Sequence, residues 1–339
     1  MDENTRIPML EPYIVKQTVS ALSETTDYNH QMLNIPEMWK QTMGEGVKVV
    51  VLDTGCPQHI DLKIAGCKDF VSSASPYDTV AGHSTHVCGI IGATVNGIGV
   101  KGIAPKCQLY CGKVLDDDGA GSVASIVAGI RWAVDQVHAD IINMSLGCPP
   151  YSALIPSLRA ACKYAYDNGV VVCCAAGNDA GAVNAPANMP TTVAVAAVDR
   201  DRKRAYFTCH GSEVDFAAGG VDVFSTWLDN TYAKLSGTSM ATPVITGAFA
   251  LVIGAAKAAG EHLTPDEAYA RLASRAIDVD VPGKDEYTGY GIPLFVSSAG
   301  TAPDTPGEPG KPALEQTNAP RKASWFARLV RWLGGIFGR

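Results

Sequence analysis

Five apolar runs limit the folds open to this chain: Val47 to Thr54, Gln108 to Leu115, Asp140 to Leu146, Gly169 to Ala176 and Thr191 to Val198. Several are continuous rather than alternating, Val49-Val50-Val51-Leu52 above all, and a strand apolar at every position is buried on both faces. Helical patterns lie between the runs, over His83 to Ala93, Val123 to Val137 and Tyr151 to Asn168. Strands alternating with helices predict a three-layer α/β fold, a mostly parallel sheet with helices on both faces. In such sheets functional groups collect outside the carboxyl ends of the strands. Asp53 stands at one such end, Ser145 near a second and Asn178 just past a third.

The 339 residues are 47% hydrophobic and 18% charged, which suits one large core with appendages and argues against disorder. The net charge is −7 and no basic patch dominates the main body, so nucleic acid is not expected as a partner. The first ten residues do not read as a secretion signal. No run of about 18 consecutive apolar residues predicts a spanning helix. The expectation is a cytoplasmic protein whose ten cysteines are reduced. Without a Cys-x-x-Cys pair, a structural zinc site is not expected.

Residues 299–320 carry Pro303, Pro306, Pro309, Pro312 and Pro320 among Gly, Thr and Glu, the composition of a semi-extended linker. The main domain is therefore set at 31–298, after an N-terminal extension over 1–30, and its core ends near Val296. The tail, 321–339, has five Arg and Lys and no acid. Trp325, Leu329, Trp332, Leu333 and Ile336 share one helical face, with Arg328 at its edge and Arg331 well off it. A short basic amphipathic helix of this kind suits a membrane surface. Docking on the domain or on a sister subunit, or disorder, is the alternative, and Gly334 and Gly335 weaken the helix.

Gly237-Thr238-Ser239-Met240-Ala241 sits where polar chain turns into a long apolar helix pattern, with Pro243 expected in the first turn, where proline is tolerated. Ser239 then lies at a helix N-terminus, where unpaired N–H groups stabilise developing negative charge. Alone, such a serine is an ordinary cap. Two more motifs change its meaning: Asp53-Thr54-Gly55 at the end of a buried strand, and Gly82-His83-Ser84-Thr85-His86-Val87. Taken together the three motifs resemble the subtilisin-like serine proteases, whose triad has the same chain order of Asp, His and Ser. Among these the chain is most similar to the bacterial intracellular subtilisins.

The resemblance covers roughly residues 33–296, from Leu33-Asn34-Ile35-Pro36-Glu37-Met38-Trp39 to Tyr287-Thr288-Gly289-Tyr290-Gly291. It implies a serine endopeptidase working through an acyl-enzyme: Ser239 as nucleophile, His83 as general base and acid, Asp53 orienting His83. Asn178, in Ala175-Ala176-Gly177-Asn178, would donate to the oxyanion. The family motif has Gly where this chain has Ser84, and a structural role falls to His86. A His83/His86 metal pair is the rival chemistry, without His-Glu-x-x-His or an obvious third ligand. Gly119-Ala120-Gly121 and Ser145-Leu146-Gly147 match the segments that pair with an extended protein or peptide substrate. Asp179 would reach the primary pocket and favour basic residues, and Asp116-Asp117-Asp118 would form an acidic rim. Thr94 to Val100 resembles a structural calcium loop, with side chains of Asp61 and Asn96 and carbonyls of Thr94, Ile98 and Val100 as oxygen ligands for Ca²⁺.

In intracellular subtilisins an N-terminal extension with Leu-Ile-Pro-Tyr lies across the active site and is later removed, so the enzyme is made as a zymogen. Leu10-Glu11-Pro12-Tyr13 matches it in part. Family resemblance also suggests a homodimer. Cys88 and Cys56, close in sequence to His83 and Asp53, are expected to be inert and buried. The rival functions are a membrane-associated processing protease of narrow specificity, carried by 321–339, and a peptide-binding pseudoprotease, against which Asp53, His83, Ser239 and Asn178 all stand.

Overall fold

The computed structural model describes residues 3–10, 13, 15, 18–20, 23–73, 75–149 and 155–296. The strands are β1 (Ile7–Pro8), β2 (Thr18–Val19), β3 (Lys48–Asp53), β4 (Ile64–Asp69), β5 (Gln108–Lys113), β6 (Ala120–Gly121), β7 (Ile141–Met144), β8 (Val171–Ala175), β9 (Val193–Val198), β10 (Val214–Gly219), β11 (Val223–Thr226) and β12 (Tyr232–Leu235). The helices are α1 (Asn29–Met32), α2 (Ile35–Met38), α3 (His83–Gly92), α4 (Val123–Trp132), α5 (Ile155–Asp167), α6 (Thr238–Ala258) and α7 (Pro265–Ala273). Seven strands form a parallel sheet in the order β10-β9-β8-β7-β3-β5-β4. The five continuous apolar runs supply its interior strands β3, β5, β7, β8 and β9. Val49, Val50, Val51 and Leu52 have no exposed surface, as burial on both faces requires.

Helices α3 and α6 pack on each other and on the sheet, and α4 and α5 do the same. These pairs make the two outer layers. Helix α6 is long and apolar enough to cross a membrane, yet 94% of its apolar window is buried inside the domain. It is the core helix of this fold, and Gly237, just before it, starts it where the sheet's carboxyl ends open.

Residues 25–29 pack on the body of the domain: Thr25 N donates to Gly99 O (2.8 Å), Tyr28 Oη to Val221 O (2.9 Å) and Asn29 Nδ2 to Gly219 O (3.2 Å). Two expectations need correction. Cys56 and Cys67 are joined in a disulfide, with Cα atoms 5.9 Å apart. The loop after β3 folds back on edge strand β4 and brings the two residues within bridging distance, which spacing along the chain does not reveal. Lastly, α6 begins at Thr238, so Pro243 falls in its second turn. Residues 299–320 and 321–339 lie outside the described residues.

Candidate active site

Asp53 is the last residue of β3 and His83 the first of α3, both fully buried. His83 Nδ1 donates to Asp53, 2.8 Å from Oδ1 and 3.0 Å from Oδ2. Thr54 N also donates to Asp53 Oδ1, at 2.7 Å. The carboxylate thus fixes the ring and sets Nε2 at its far end, where this buried nitrogen has no hydrogen-bond partner. Gly82 caps the helix at φ +72°, and a Cβ there would stand 2.8 Å from the Trp227 ring. Glycine is the residue that meets both demands.

A second carboxylate holds the two motifs together. Asp78, buried, accepts from Thr54 Oγ1 (2.9 Å), Gly82 N (3.0 Å), Thr85 N (2.8 Å) and Thr85 Oγ1 (2.7 Å). Burial pushes its carboxyl up, against these hydrogen bonds. Ser84, where the family motif has Gly, is put to use: its N–H donates to Thr54 Oγ1 (3.1 Å) and its Oγ to Gly55 O (2.6 Å). Neither Asp78 nor this use of Ser84 was read from the sequence. An acid between two motifs carries no periodicity signal.

Ser239 lies in the first turn of α6 and is locked to Ser145 reciprocally. Ser239 Oγ donates to Ser145 O (3.1 Å) and Ser145 Oγ donates to Ser239 O (2.9 Å). The second bond has a cause in the sequence. Pro243 lacks the N–H that would bond the carbonyl four residues earlier, that of Ser239, and Ser145 supplies the donor instead. Asn178 Oδ1 accepts from Thr238 N (2.8 Å) and Thr238 Oγ1 (2.9 Å). With its oxygen so held, Asn178 lines a cavity together with Ser239, Leu146, Gly147, Ala175 and Gly177.

Met9, itself buried, closes one wall of that cavity, which holds about 10 Å³, room for one water at most. Its chain enters as a strand. β1 pairs antiparallel with β6, Ile7 opposite Gly121 and Pro8 opposite Ala120. Met9 N and Leu10 N both donate to Gly119 O (3.1 and 3.0 Å), and Gly147 N donates to Met9 O (2.9 Å). Gly119 has φ +74°, and a Cβ on it would meet Leu10 at 2.8 Å. Further on, the Tyr13 ring packs on His83 with centroids 5.2 Å apart, and its hydroxyl donates to Ala81 O (2.9 Å). Burial, then Asp53 and Asp78, push the Tyr13 phenol up to about 12. The segments expected to bind substrate, 119–121 and 145–147, are therefore the ones that hold residues 7–10.

The remaining candidates separate clearly. His86 Nε2 sits 3.1 Å from both Val223 O and Ala233 O, turned from His83, and burial pushes its pKa down to about 3. Among the described residues no group of His, Cys, Asp and Glu side chains is arranged to hold a metal. Asp179 is exposed and outside the cavity, accepting from Cys209 Sγ (2.6 Å) and Gly181 N (3.0 Å). Cys88 is buried with its Sγ 3.5 Å from that of Cys111, and burial pushes its thiol up.

Asp61 and the 94–100 loop do come together. Asp61 accepts from Val100 N (2.9 Å), Asn96 Nδ2 (2.9 Å), Thr94 Oγ1 (3.3 Å) and Tyr232 Oη (3.3 Å). Among the described residues the carbonyls of Thr94, Ile98 and Val100 take no backbone hydrogen bond. Burial pushes the Asp61 carboxyl up. A buried carboxylate beside open carbonyls is the kind of hard-oxygen set that Ca²⁺ takes, while the Asn96 amide turns its NH₂ to Asp61 and its Oδ1 accepts from Ile98 N (3.0 Å). Glu24, which the sequence reading missed, joins the loop by accepting from Asn96 N (2.7 Å) and Gly97 N (3.0 Å).

The parallel sheet carries the hydrogen-bonded Asp53–His83 pair at the end of one strand, and Ser239 stands at the start of the buried helix, the three residue types that a triad-type hydrolase uses. The sequence model of the subtilase family matches residues 44–291, and the chain belongs to that family of serine endopeptidases. It is 37% identical over 308 residues to the minor extracellular protease Epr of Bacillus subtilis, covering 88% of this chain and 46% of that protein. It is 44% identical over 241 residues to the thermostable alkaline protease of Halalkalibacterium halodurans, covering 70% and 66%. Against subtilisin DY of Bacillus licheniformis the identity is 39% over 277 residues, covering 80% and 97%. The chain thus spans about half the length of the first of these relatives and two thirds of the second.

Proposed function

We propose that the whole protein is a serine endopeptidase whose cleft is closed by its own residues 7–10 and Tyr13. Ser239 Oγ attacks the peptide carbonyl and passes its proton to His83 Nε2, which returns it to the leaving amine, while Asp53 holds the imidazolium. Asn178 and the Ser239 N–H receive the oxyanion. Loss of one such donor costs about 10²–10³ in kcat, a magnitude known from the subtilisins themselves. The observation that carries the reading is the orphaned His83 Nε2, oriented by Asp53 and buried. In attack the Ser239 hydroxyl turns from Ser145 O to this nitrogen.

The closed cleft rests on Met9 in the cavity and Tyr13 on His83. The Met9 carbonyl accepts from the Gly147 amide, which supports a segment held in the cleft as an extended strand. Ca²⁺ would be held by Asp61, Asn96 and the carbonyls of Thr94, Ile98 and Val100, with Glu24 steadying the loop. Its part is structural.

The test is casein hydrolysis by the full chain, by Met9→Asp/Tyr13→Ala and by Ser239→Ala, with fluorophosphonate labelling of each. The double variant is expected to gain about tenfold or more in rate, since an ionised residue without a partner is costly at a buried position such as that of Met9. Ser239→Ala loses labelling and activity. Equal rates for the full chain and the double variant would end the closed-cleft reading and leave the protease. No labelling in any form would leave a peptide-binding pseudoprotease.

A further inference from the structure

The segment in the cleft singles out two acids at its rim. Arg6, one residue before β1, donates through Nη2 to Asp118 Oδ2 (2.9 Å) and through Nε to Asp116 Oδ2. The third acid of the run faces elsewhere. Asp117 pairs at 2.7 Å with Lys113, whose fully buried ammonium also bonds Thr54 O. Asp116 is built into its turn: Oδ1 accepts from Asp118 N (3.0 Å) and Ala120 N (3.1 Å), which leaves Oδ2 for the guanidinium. The hydrogen bonds lower the Asp116 carboxyl against its desolvation, and Arg6 is the first of them. Among the described residues the ion pairs of Asp116 and Asp118 are those with Arg6.

Position along the strand gives these contacts a register. Side chains alternate in a strand: Ile7 and Met9 turn to the body, Arg6 and Pro8 outward. The turn bearing Asp116 also carries Gly119, whose carbonyl takes the Met9 and Leu10 amides. Acid pair and strand edge are one unit, so any extended peptide pairing there places a side chain on Asp116 and Asp118 three residues before the one in the cavity.

On the reading of the site as a serine endopeptidase, we propose that Asp116 and Asp118 are a specificity subsite. They select peptides with Arg or Lys three residues N-terminal to an unbranched apolar residue that fills the cavity. The partner is a cationic side chain at fixed spacing, and Arg6 is its intramolecular stand-in. A planar guanidinium facing two carboxylates gains geometric specificity that a single surface pair lacks. Asp118 keeps 85% of its side chain exposed, so the preference is screened by salt.

The test offers the full chain two peptides in one mixture. They share a Met for the cavity and differ by Arg or Gln three residues before it. In a common mixture the ratio of rates is the ratio of kcat/KM, whatever share of clefts the chain's own N-terminal strand occupies. Arg is expected to win by about three- to tenfold at low ionic strength, the range of one to two well-placed exposed pairs. The ratio falls toward one in 1 M NaCl and in Asp116→Asn/Asp118→Asn. The salt arm uses the unaltered chain and does not depend on the variant folding. A ratio of one with both peptides cut overturns the subsite and leaves the protease. Neither peptide cut by a chain that labels with fluorophosphonate also overturns it, because the register is then not a substrate's. No labelling removes the protease reading and the subsite with it.

Discussion

At the scale of single residues, Pro243 and Ser145 are best understood as one feature. The proline leaves the Ser239 carbonyl without its helical donor, and Ser145 Oγ fills the place at 2.9 Å while accepting from Asn143 Nδ2 at 3.0 Å. Ser145→Ala should destabilise by about 1–3 kcal/mol, the cost of a buried group left unsatisfied. In a Pro243→Ala background a backbone N–H is restored to that carbonyl and the same substitution should cost less. A coupling of about 0.5 kcal/mol or more in urea denaturation is expected, and strict additivity would refute the account. His86 makes a prediction about pH. Burial holds its pKa at about 3, against about 6.5 in an unfolded chain. Between those values the unfolded chain binds the proton that the fold excludes, so stability is full above about pH 6.5 and is lost as pH falls toward 3. His30, pushed down to about 4 by burial, acts in the same sense. Asp27, Asp61 and Asp78, pushed up by burial, act in the opposite one. A difference isolates His86: melting temperature against pH from 7 to 4.5 should fall more steeply in the native chain than in His86→Gln, whose amide serves the same two carbonyls without titrating.

At the scale of elements, the start of α3 is where backbone shape and chemistry meet. Gly82→Ala puts a Cβ at φ +72° and 2.8 Å from Trp227. It should destabilise by more than about 1 kcal/mol and slow fluorophosphonate labelling by tilting His83. Adding Trp227→Ala removes the contact and leaves the backbone strain, so it should restore part of each loss; no recovery in labelling would disprove the contact's part. How far these elements were legible follows from their physics. β3, β5, β7, β8 and β9 announce themselves because burial on both faces demands unbroken apolar runs. β4 does not: it is an edge strand, half-exposed, with Gly66 and Lys68. β10 is hidden by Asp215, a polar residue in a fully buried strand, reconciled by Tyr269 Oη at 2.7 Å and Ala194 N at 3.0 Å. β1 and β6 are two residues each, too short for any period, and they pair across more than a hundred residues. Asp53, His83, Ser239 and Asn178 were legible as motifs. Met9 in the cavity, the Ser145–Ser239 exchange and the Asp116–Arg6 pairing belong to tertiary contact, which no local pattern encodes.

At the scale of the whole molecule, the two ends of the described chain are tied to the body differently. Phe295 is buried and its N–H donates to Leu33 O (2.9 Å). At the other end the chain passes from the cleft, through β2 on β12, to a stretch held against the 94–101 loop. There Thr25 N bonds Gly99 O, Lys101 N bonds Thr25 O (3.1 Å), Glu24 bonds the Asn96 and Gly97 amides, and Lys101 Nζ meets Glu24 at 2.9 Å. The proposed calcium loop is thus the clamp between domain and N-terminal segment. A cation at Asp61 should stiffen both at once. Anything that binds the folded state alone stabilises it, by about 2.7 kcal/mol at a hundredfold excess over Kd, which for a domain of this size is a rise of roughly 5–10 °C in Tm. The full chain should therefore melt several degrees higher in millimolar Ca²⁺ than in EDTA, with Mg²⁺ giving less because it demands a tighter octahedral shell. Asp61→Asn keeps an oxygen for the Val100 amide and should fold, but its melting temperature should no longer respond. Glu24→Gln should keep part of the response, because it loosens the loop without removing a ligand. If the native chain melts at the same temperature in Ca²⁺ and EDTA, the loop is held by its hydrogen bonds alone and the calcium proposal is withdrawn.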